Sequence, residues 1–215
     1  MLRMIQLLNI NKRFGDKAVL SNVSLSINKN EFVCITGESG VGKTTLLNII
    51  GLIEKPDSGE LILNEKRKFN KKDILKLRRD FFGYIFQDYL LLNDRTVEEN
   101  IVISKYNSKK TDQKDIDEIM KKIGLDSSYL RKKVYCLSGG EQQKVALARM
   151  MFKEYELVLA DEPTGNLDHN NKMDVIEIFK GIKKEGKTII CVTHDSEVAA
   201  SADRIINLTR VCLKT

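Results

Sequence analysis

The sequence predicts an α/β fold, with a mostly parallel sheet covered by helices, an antiparallel β part at the N-terminal end and a helical insertion. Three observations predict it. Short apolar runs alternate with helical stretches after residue 155, the pattern of a parallel sheet covered on both faces. The first thirty residues instead read as two strands separated by a turn at Gly15-Asp16. Between these parts lies Gly37-Glu38-Ser39-Gly40-Val41-Gly42-Lys43-Thr44, which satisfies the phosphate-loop (P-loop) spacing G-x-x-x-x-G-K-[ST] and has a strand-like run before it and a helix-like run after it.

In chain order, strands are expected over 4–10 and 19–27 as a hairpin, and 28–30 turns the chain, with Asn tolerating a left-handed backbone. The apolar run 31–36 is the strand before the loop, and 45–50 reads as a buried helix after it. Pro56-Asp57-Ser58-Gly59 breaks the structure, and 60–63 returns as a strand ending at Asn64-Glu65. A charged helix is expected over 71–79, then a strand over 82–86 that leads to Gln87. No strand pattern follows until Ser138. Thr96 precedes acidic residues as a helix cap, and Ile116, Ile119, Met120 and Ile123 recur at i, i+3, i+4 and i+7. This is the helical insertion, about 88–153 with the helix after Gly140. Strand 156–160, helix 171–184, strand 188–192, a short helix after Asp195 and strand 204–208 complete the alternation. We read 1–215 as a single domain, with 1–87 and 154–215 forming the nucleotide-binding core and β part and about 88–153 the helical subdomain.

At 215 residues, 42% apolar and 31% charged, the chain has the composition of a soluble globular protein. No apolar run is long enough to span a bilayer, and the first residues lack the apolar core of a signal peptide, so a cytoplasmic location is expected. Cys34, Cys136, Cys191 and Cys212 show no CxxC spacing and read as buried apolar thiols. The net charge of +6 is carried by lysines dispersed among Asp and Glu, a solvated surface and not a nucleic-acid footprint.

The loop's glycines let backbone N–H groups turn inward around phosphate oxygens, and the helix that starts there adds its free amides. Lys43 would neutralise β/γ-phosphates and the Thr44 hydroxyl would hold Mg²⁺. A plain glycine-rich turn is the alternative, and it leaves both flanks and Lys-Thr unexplained. The apolar run 157–160 ends in Asp161-Glu162. Asp161 is expected on Mg²⁺ and Glu162 beside the attacking water. Leu137-Ser138-Gly139-Gly140-Glu141-Gln142 opens a long helix and is a second anion-binding N-terminus. One nucleotide does not need two such cradles in one subunit.

The ordered set of Gly37 to Thr44, Gln87, Leu137-Ser-Gly-Gly-Glu-Gln, Asp161-Glu162, Asn166-Leu-Asp168 and Thr193-His194 resembles the nucleotide-binding subunit of ATP-binding-cassette (ABC) transporters over essentially the full length. The resemblance implies the ABC ATPase fold, ATP and Mg²⁺ as ligands, and a head-to-tail dimer in which each ATP lies between one subunit's phosphate loop and the other's Ser-Gly-Gly turn. It implies further that Phe14 stacks on adenine, Thr45 belongs to the phosphate site, Gln87 senses Mg²⁺ and the attacking water, His194 contacts the γ-phosphate, and Asp168 communicates across the dimer.

Residues 48–59, Ile85-Phe86-Gln87 and 161–168 are similar to the branch of lipoprotein-release, macrolide-export and bacteriocin-export ATPases, and the short chain without a C-terminal regulatory domain fits that branch. Phe14 stands where Tyr is commoner, Asn30 and Glu65 where turn glycines are common, and Lys144 where Arg is frequent. Thr209-Arg210 lacks a usual glycine, which leaves a final hairpin open. The implied function is an ATPase on the inner face of a membrane, driving separately encoded permease subunits that export peptide, bacteriocin, lipoprotein or drug. The alternative is a mechanotransmitting ATPase of a non-transporting complex that regulates cell-wall enzymes. A cassette acting on nucleic acid would carry a concentrated basic patch, and a nucleoside kinase would have no use for Ser138-Gly139-Gly140. Tyr89 to Leu92 supply either an apolar docking groove, continuing to Ile103, or packing inside the insertion.

Overall fold

The structure, a computed structural model, describes residues 2–105, 112–165 and 167–209. Two twelve-residue strands, β1 (Arg3–Phe14) and β2 (Lys17–Asn28), form the expected hairpin about Gly15-Asp16. β3 (Phe32–Thr36) leads through the phosphate loop into α1 (Lys43–Ile50). β4 (Ser58–Leu63) returns to pair antiparallel with β1, giving a three-stranded sheet in the order β2-β1-β4. α2 (Lys71–Asp80), β5 (Phe82–Ile85), α3 (Val97–Val102), α4 (Gln113–Lys122) and α5 (Gly139–Met151) follow. The chain closes with β6 (Leu157–Asp161), α6 (His169–Lys184), β7 (Thr188–Val192), α7 (Ser196–Ala200) and β8 (Arg204–Asn207). The second sheet is parallel throughout, in the order β5-β6-β7-β3-β8.

Strand periodicity divides the interior into two cores. Successive side chains of a strand point to opposite faces. Phe32 and Cys34 of β3, Val158 and Ala160 of β6, and Ile189 and Cys191 of β7 face one core, where α5 and α6 supply Val145, Leu147, Ile176 and Phe179. Val33 and Ile35, Leu157 and Leu159, and Ile190 and Val192 face the other, against Leu46, Ile49 and Ile50 of α1 and Ile5, Leu7 and Ile27 of the antiparallel sheet. Strands buried on both faces explain the unbroken apolar runs that predicted them. The first core also takes in Ile101, Ile116, Met120 and Ile123, so the segment between β5 and β6 packs on the sheet through the same interior as α6.

Thr96 caps α3 in a reciprocal box with Glu99, as its position implied. Cys34 and Cys191 are buried and paired in register across β3 and β7, but Cys136 is exposed on a short 3₁₀ turn, against the expectation of a buried thiol. Cys212, Asn166 and Arg210, and with Arg210 the question of a final hairpin, lie outside the described residues. Leu91 packs against the first core, as the packing reading expects, while Leu90 and Leu92 are exposed. Among the described residues no helix is long and apolar enough to cross a membrane.

Asn30 and Glu65, which replace common turn glycines, hold φ of 56° and 66°. Both keep the left-handed turn that glycine would supply, a conformation that costs an L-residue about 1–2 kcal/mol. Asn tolerates it, whereas Glu has no short side chain to compensate. We expect Glu65→Gly to stabilise the fold by about 0.5–1 kcal/mol, because relief of strain exceeds the added unfolded-state entropy. Urea denaturation reads this as a higher midpoint at constant slope; a lower midpoint would show that the Glu65 side chain compensates its own strain.

Candidate nucleotide site

The parallel sheet delivers the site at its carboxyl edge, where ligands of open α/β sheets bind. Gly37 follows β3, Asp161 ends β6, His194 lies two residues past β7, and Gln87 lies two residues past β5. Residues Ser39, Gly40, Gly42, Lys43, Thr44, Thr45, Gln87, Glu162 and His194 line one cavity of about 410 Å³, with Val19 and Val192 as its apolar wall.

Gly37, Gly40 and Gly42 have φ of 147°, 74° and 103°, the positive values that let successive N–H groups converge. Lys43 Nζ donates to the carbonyls of Gly37 and Glu38 at 2.8 and 2.9 Å, which folds the ammonium over the loop. The Val41 side chain is buried in the second core and anchors the loop from below. Thr44 Oγ1 donates to Asp161 Oδ1 at 3.1 Å. Burial pushes the Asp161 carboxyl above its usual range, with Glu162 adding to the rise and Thr44 and Lys43 opposing it. The Thr44 hydroxyl and the Asp161 carboxylate are hard oxygen donors side by side next to the phosphate loop, and this chemistry fits Mg²⁺.

Glu162 is a non-glycine residue at φ 46°. Its N–H is held by the Val192 carbonyl at 2.9 Å, and its Oε2 accepts from the His194 N–H at 3.3 Å and lies 2.9 Å from His194 Nδ1. A strained backbone over-determined by its neighbours is found where a side chain must be aimed. The Glu162 side chain is largely covered while that of His194 is exposed, so the imidazole forms the outer lip of the cavity.

Phe14 is half-exposed at the tip of the β1–β2 hairpin and does not line the cavity; Lys12 Nζ sits 5.2 Å from its ring centroid. Ser138, Gly139, Gly140 and Asp168 do not line it either. They meet elsewhere in the chain. Ser138 caps α5 in a box with Glu141, and Asp168 caps α6 through the Asn171 N–H at 2.9 Å. Asn171 Nδ2 also donates to Asp168 at 2.7 Å, and its amide lies 2.5 Å from where a Gly140 Cβ would stand. A side chain at position 140 would therefore have to displace the Asn171 amide from Asp168. Asn171, three residues after Asp168, was missed in the sequence; the Asp-x-x-Asn cap spacing was its one signal. Lys144, in place of the frequent Arg, bridges α5 to Asp174 of α6 at 2.6 Å.

Residues 20–165 match the ABC transporter family. The chain is 44% identical over 211 residues to the macrolide export ATP-binding/permease protein MacB of Campylobacter jejuni subsp. jejuni, covering 95% of this chain and 33% of that protein. It is 40% identical over 216 residues to the protein of the same name from Mannheimia succiniciproducens, covering 96% and 33%. The chain thus spans about a third of the length of these relatives. Among solved structures, the dimeric structure of MJ0796, a bacterial ABC transporter cassette, superposes with a TM-score of 0.87 at 37% identity, covering 95% of this chain and 94% of that one. The dimeric post-hydrolysis state of MJ0796 bound to ADP and Pi superposes equally well at 36% identity, covering 96% and 94%.

The chain belongs to the ABC transporter family. It has the ABC ATPase fold, with the cassette's parallel P-loop core and antiparallel sheet.

The Ser138 turn depends on Glu141, whose carboxylate accepts from the Tyr129 hydroxyl and the Ser138 N–H, both at 2.7 Å. These bonds, Tyr129 first, hold the carboxyl below its ordinary value. Ionised Glu141 therefore stabilises the fold above the ordinary glutamate pKa, and that stabilisation is lost as pH falls through the lowered value. We expect Glu141→Gln to cost about 1 kcal/mol at pH 7 and the difference to close in acid, once the pH has fallen below the ordinary glutamate value and through the lowered one. Denaturation at neutral pH and in acid checks this, and a difference that persists in acid would contradict it.

Proposed function

We propose that this chain binds and hydrolyses ATP as the motor subunit of a membrane exporter, and the single observation that carries the reading is the cavity shared by the phosphate loop, Gln87, Glu162 and His194. Backbone amides of residues 37–44 and the N-terminus of α1 receive the phosphates, and Lys43 exchanges its two carbonyl partners for β/γ-oxygens. Thr44, Gln87 and Asp161 would hold Mg²⁺, which neutralises charge on the β- and γ-phosphates. Glu162 orients and deprotonates the attacking water. His194, against the same carboxylate, contacts the γ-phosphate. Phe14 takes the adenine from the hairpin tip.

The site is completed by a second cassette packed head to tail, whose Ser138-Gly139-Gly140 turn closes over the γ-phosphate, and Asp168 reports that closure across the dimer. What supports this is the position of both motifs away from the cavity within the chain, together with the dimeric state of MJ0796. The names of the relatives, macrolide export proteins, favour export over a regulatory role, and the branch resemblance leaves peptide, bacteriocin, lipoprotein or drug as cargo. Residues 88–153 act as the lever that meets permease subunits at the inner membrane face. A groove of about 480 Å³ lined by Leu92, Arg95, Glu98, Glu99, Val102 and Ile103 offers the contact.

Glu162→Gln should retain ATP and accumulate as a dimer in its presence while turnover falls by about 10² to 10⁴, the usual contribution of a general base. Size-exclusion chromatography and phosphate release check both parts, and a monomeric variant hydrolysing at the parent rate would sink the mechanism. For the groove, Leu92→Ser with Ile103→Ser should abolish co-purification with permease subunits and leave ATP affinity within about twofold. Loss of both together would count against docking there.

A further inference from the structure

The turn after Gln87 is held by a residue that the mechanism has not used. Tyr89 and Leu90 are consecutive non-glycine residues at φ 57° and 49°. Such a pair is unfavourable for L-residues and persists only when its surroundings impose it. The local bonds are two, from the Tyr89 N–H to Phe86 O at 3.0 Å and from the Leu90 N–H to Asp88 O at 2.5 Å. The turn leaves the carbonyls of Tyr89 and Leu90 pointing to one place, and there the Arg149 guanidinium of α5 receives both. Nη2 donates to Tyr89 O at 2.7 Å and Nη1 to Leu90 O at 2.6 Å.

The fork geometry of a guanidinium suits two adjacent acceptors, and an ammonium cannot match it. Beyond the clamp, Leu92 is fixed by Asn100, which is fully buried and both donates to its carbonyl and accepts its N–H. Before the clamp, Gln87 and Asp88 are exposed. The place of Gln87 in the nucleotide cavity is thus set from one side by the end of β5 and from the other by Arg149. The segment after Gln87 therefore meets α5 at its last turn, through two carbonyls.

We propose that Arg149 is a positioning residue for Gln87, which it acts on through the carbonyls of Tyr89 and Leu90. The inference rests on the reading of Gln87 as part of the hydrolytic site. Without the clamp the carbonyls of Tyr89 and Leu90 lose their shared donor, and Gln87, two residues upstream, shifts relative to Thr44 and Asp161. ATP binding by the phosphate loop is independent of this link, because Arg149 does not line the cavity.

The test uses the purified 215-residue chain and compares Gln87→Ala, Arg149→Lys, Arg149→Gln and the combination of Gln87→Ala with Arg149→Lys. Each Arg149 variant should lower kcat about ten- to a hundredfold, the cost of misplacing a catalytic group by about an ångström. KM for ATP should stay within about twofold, since uniform binding is untouched. The combined variant should be no slower than the slower single variant, because both changes remove one device. Hydrogen exchange should accelerate over residues 87–91 and nowhere in α1. Either Arg149 variant suffices if the other does not fold. Multiplying losses in the combined variant, or unchanged exchange over 87–91, would overturn the link. If Gln87→Ala lowers kcat and folded Arg149 variants do not, the inference falls and the hydrolytic reading stands. A parent-like kcat for Gln87→Ala removes both.

Discussion

The register of the parallel sheet is the constraint on which the site depends. A slip of β6 by one residue would carry Leu157 and Leu159 to the face of Val158 and Ala160 and exchange what the two cores receive. It would also shift Asp161 by one strand step, about 3.3 Å, and break the 3.1 Å bond to Thr44. The same holds for β7, whose Ile190 and Val192 pack towards α1 while the next residues reach His194. Core burial and chemistry are set by one choice of pairing, so the fold cannot relax the one without losing the other.

That coupling explains how much of this protein could be read from its sequence. The strands of the central sheet were legible because burial on both faces leaves unbroken apolar runs, and the phosphate loop was legible because its fixed glycines, Gly37 and Gly42, stand at φ of 147° and 103°, which strain any L-residue. Asp161 and Glu162 were legible as the end of such a run. What could not be read was contact between elements far apart in the chain. Asn171 beside Gly140, Arg149 on Tyr89 and Leu90, and Tyr129 on Glu141 each join residues whose types are ordinary at their positions. Cys136 was misjudged because a cysteine in an irregular segment has no periodicity to report its exposure. The leucine run split for a similar reason, since the left-handed turn at Tyr89-Leu90 sends Leu91 inward and Leu92 outward.

Three of the departures from the family pattern, at Asn30, Glu65 and Lys144, fall away from the phosphate loop and the carboxylates. Asn30 and Glu65 keep left-handed turns without glycine, and Lys144 keeps a cation between α5 and α6. None of these positions lines the nucleotide cavity. The groups that do line it, Ser39, Gly40, Gly42 to Thr45, Gln87, Glu162 and His194, sit on loops and a helix start pinned by buried strands, so sequence drift elsewhere leaves their geometry intact.

The two helix N-termini in this chain differ in a way that bears on how the proposed dimer would work. α1 begins at Gly42 with no side-chain cap and no acidic residue in its first turn, so its free amides face the cavity uncompensated. α5 begins with Ser138 and Glu141 in a closed capping box, which satisfies its first donors and sets a carboxylate at its positive end. On the proposed function the first would be the stronger phosphate cradle and the second the weaker one. The Glu141 charge is turned to the Tyr129 hydroxyl and the Ser138 N–H, leaving the Gly139 and Gly140 amides as the ones that can meet an anion. A weak cradle suits a surface that must grip a partner's γ-phosphate and then let go, because affinity matched to that of α1 would hold the dimer shut after hydrolysis. The difference in capping between two helices of one chain is in this way a statement about which half of a shared site keeps the nucleotide and which half releases it.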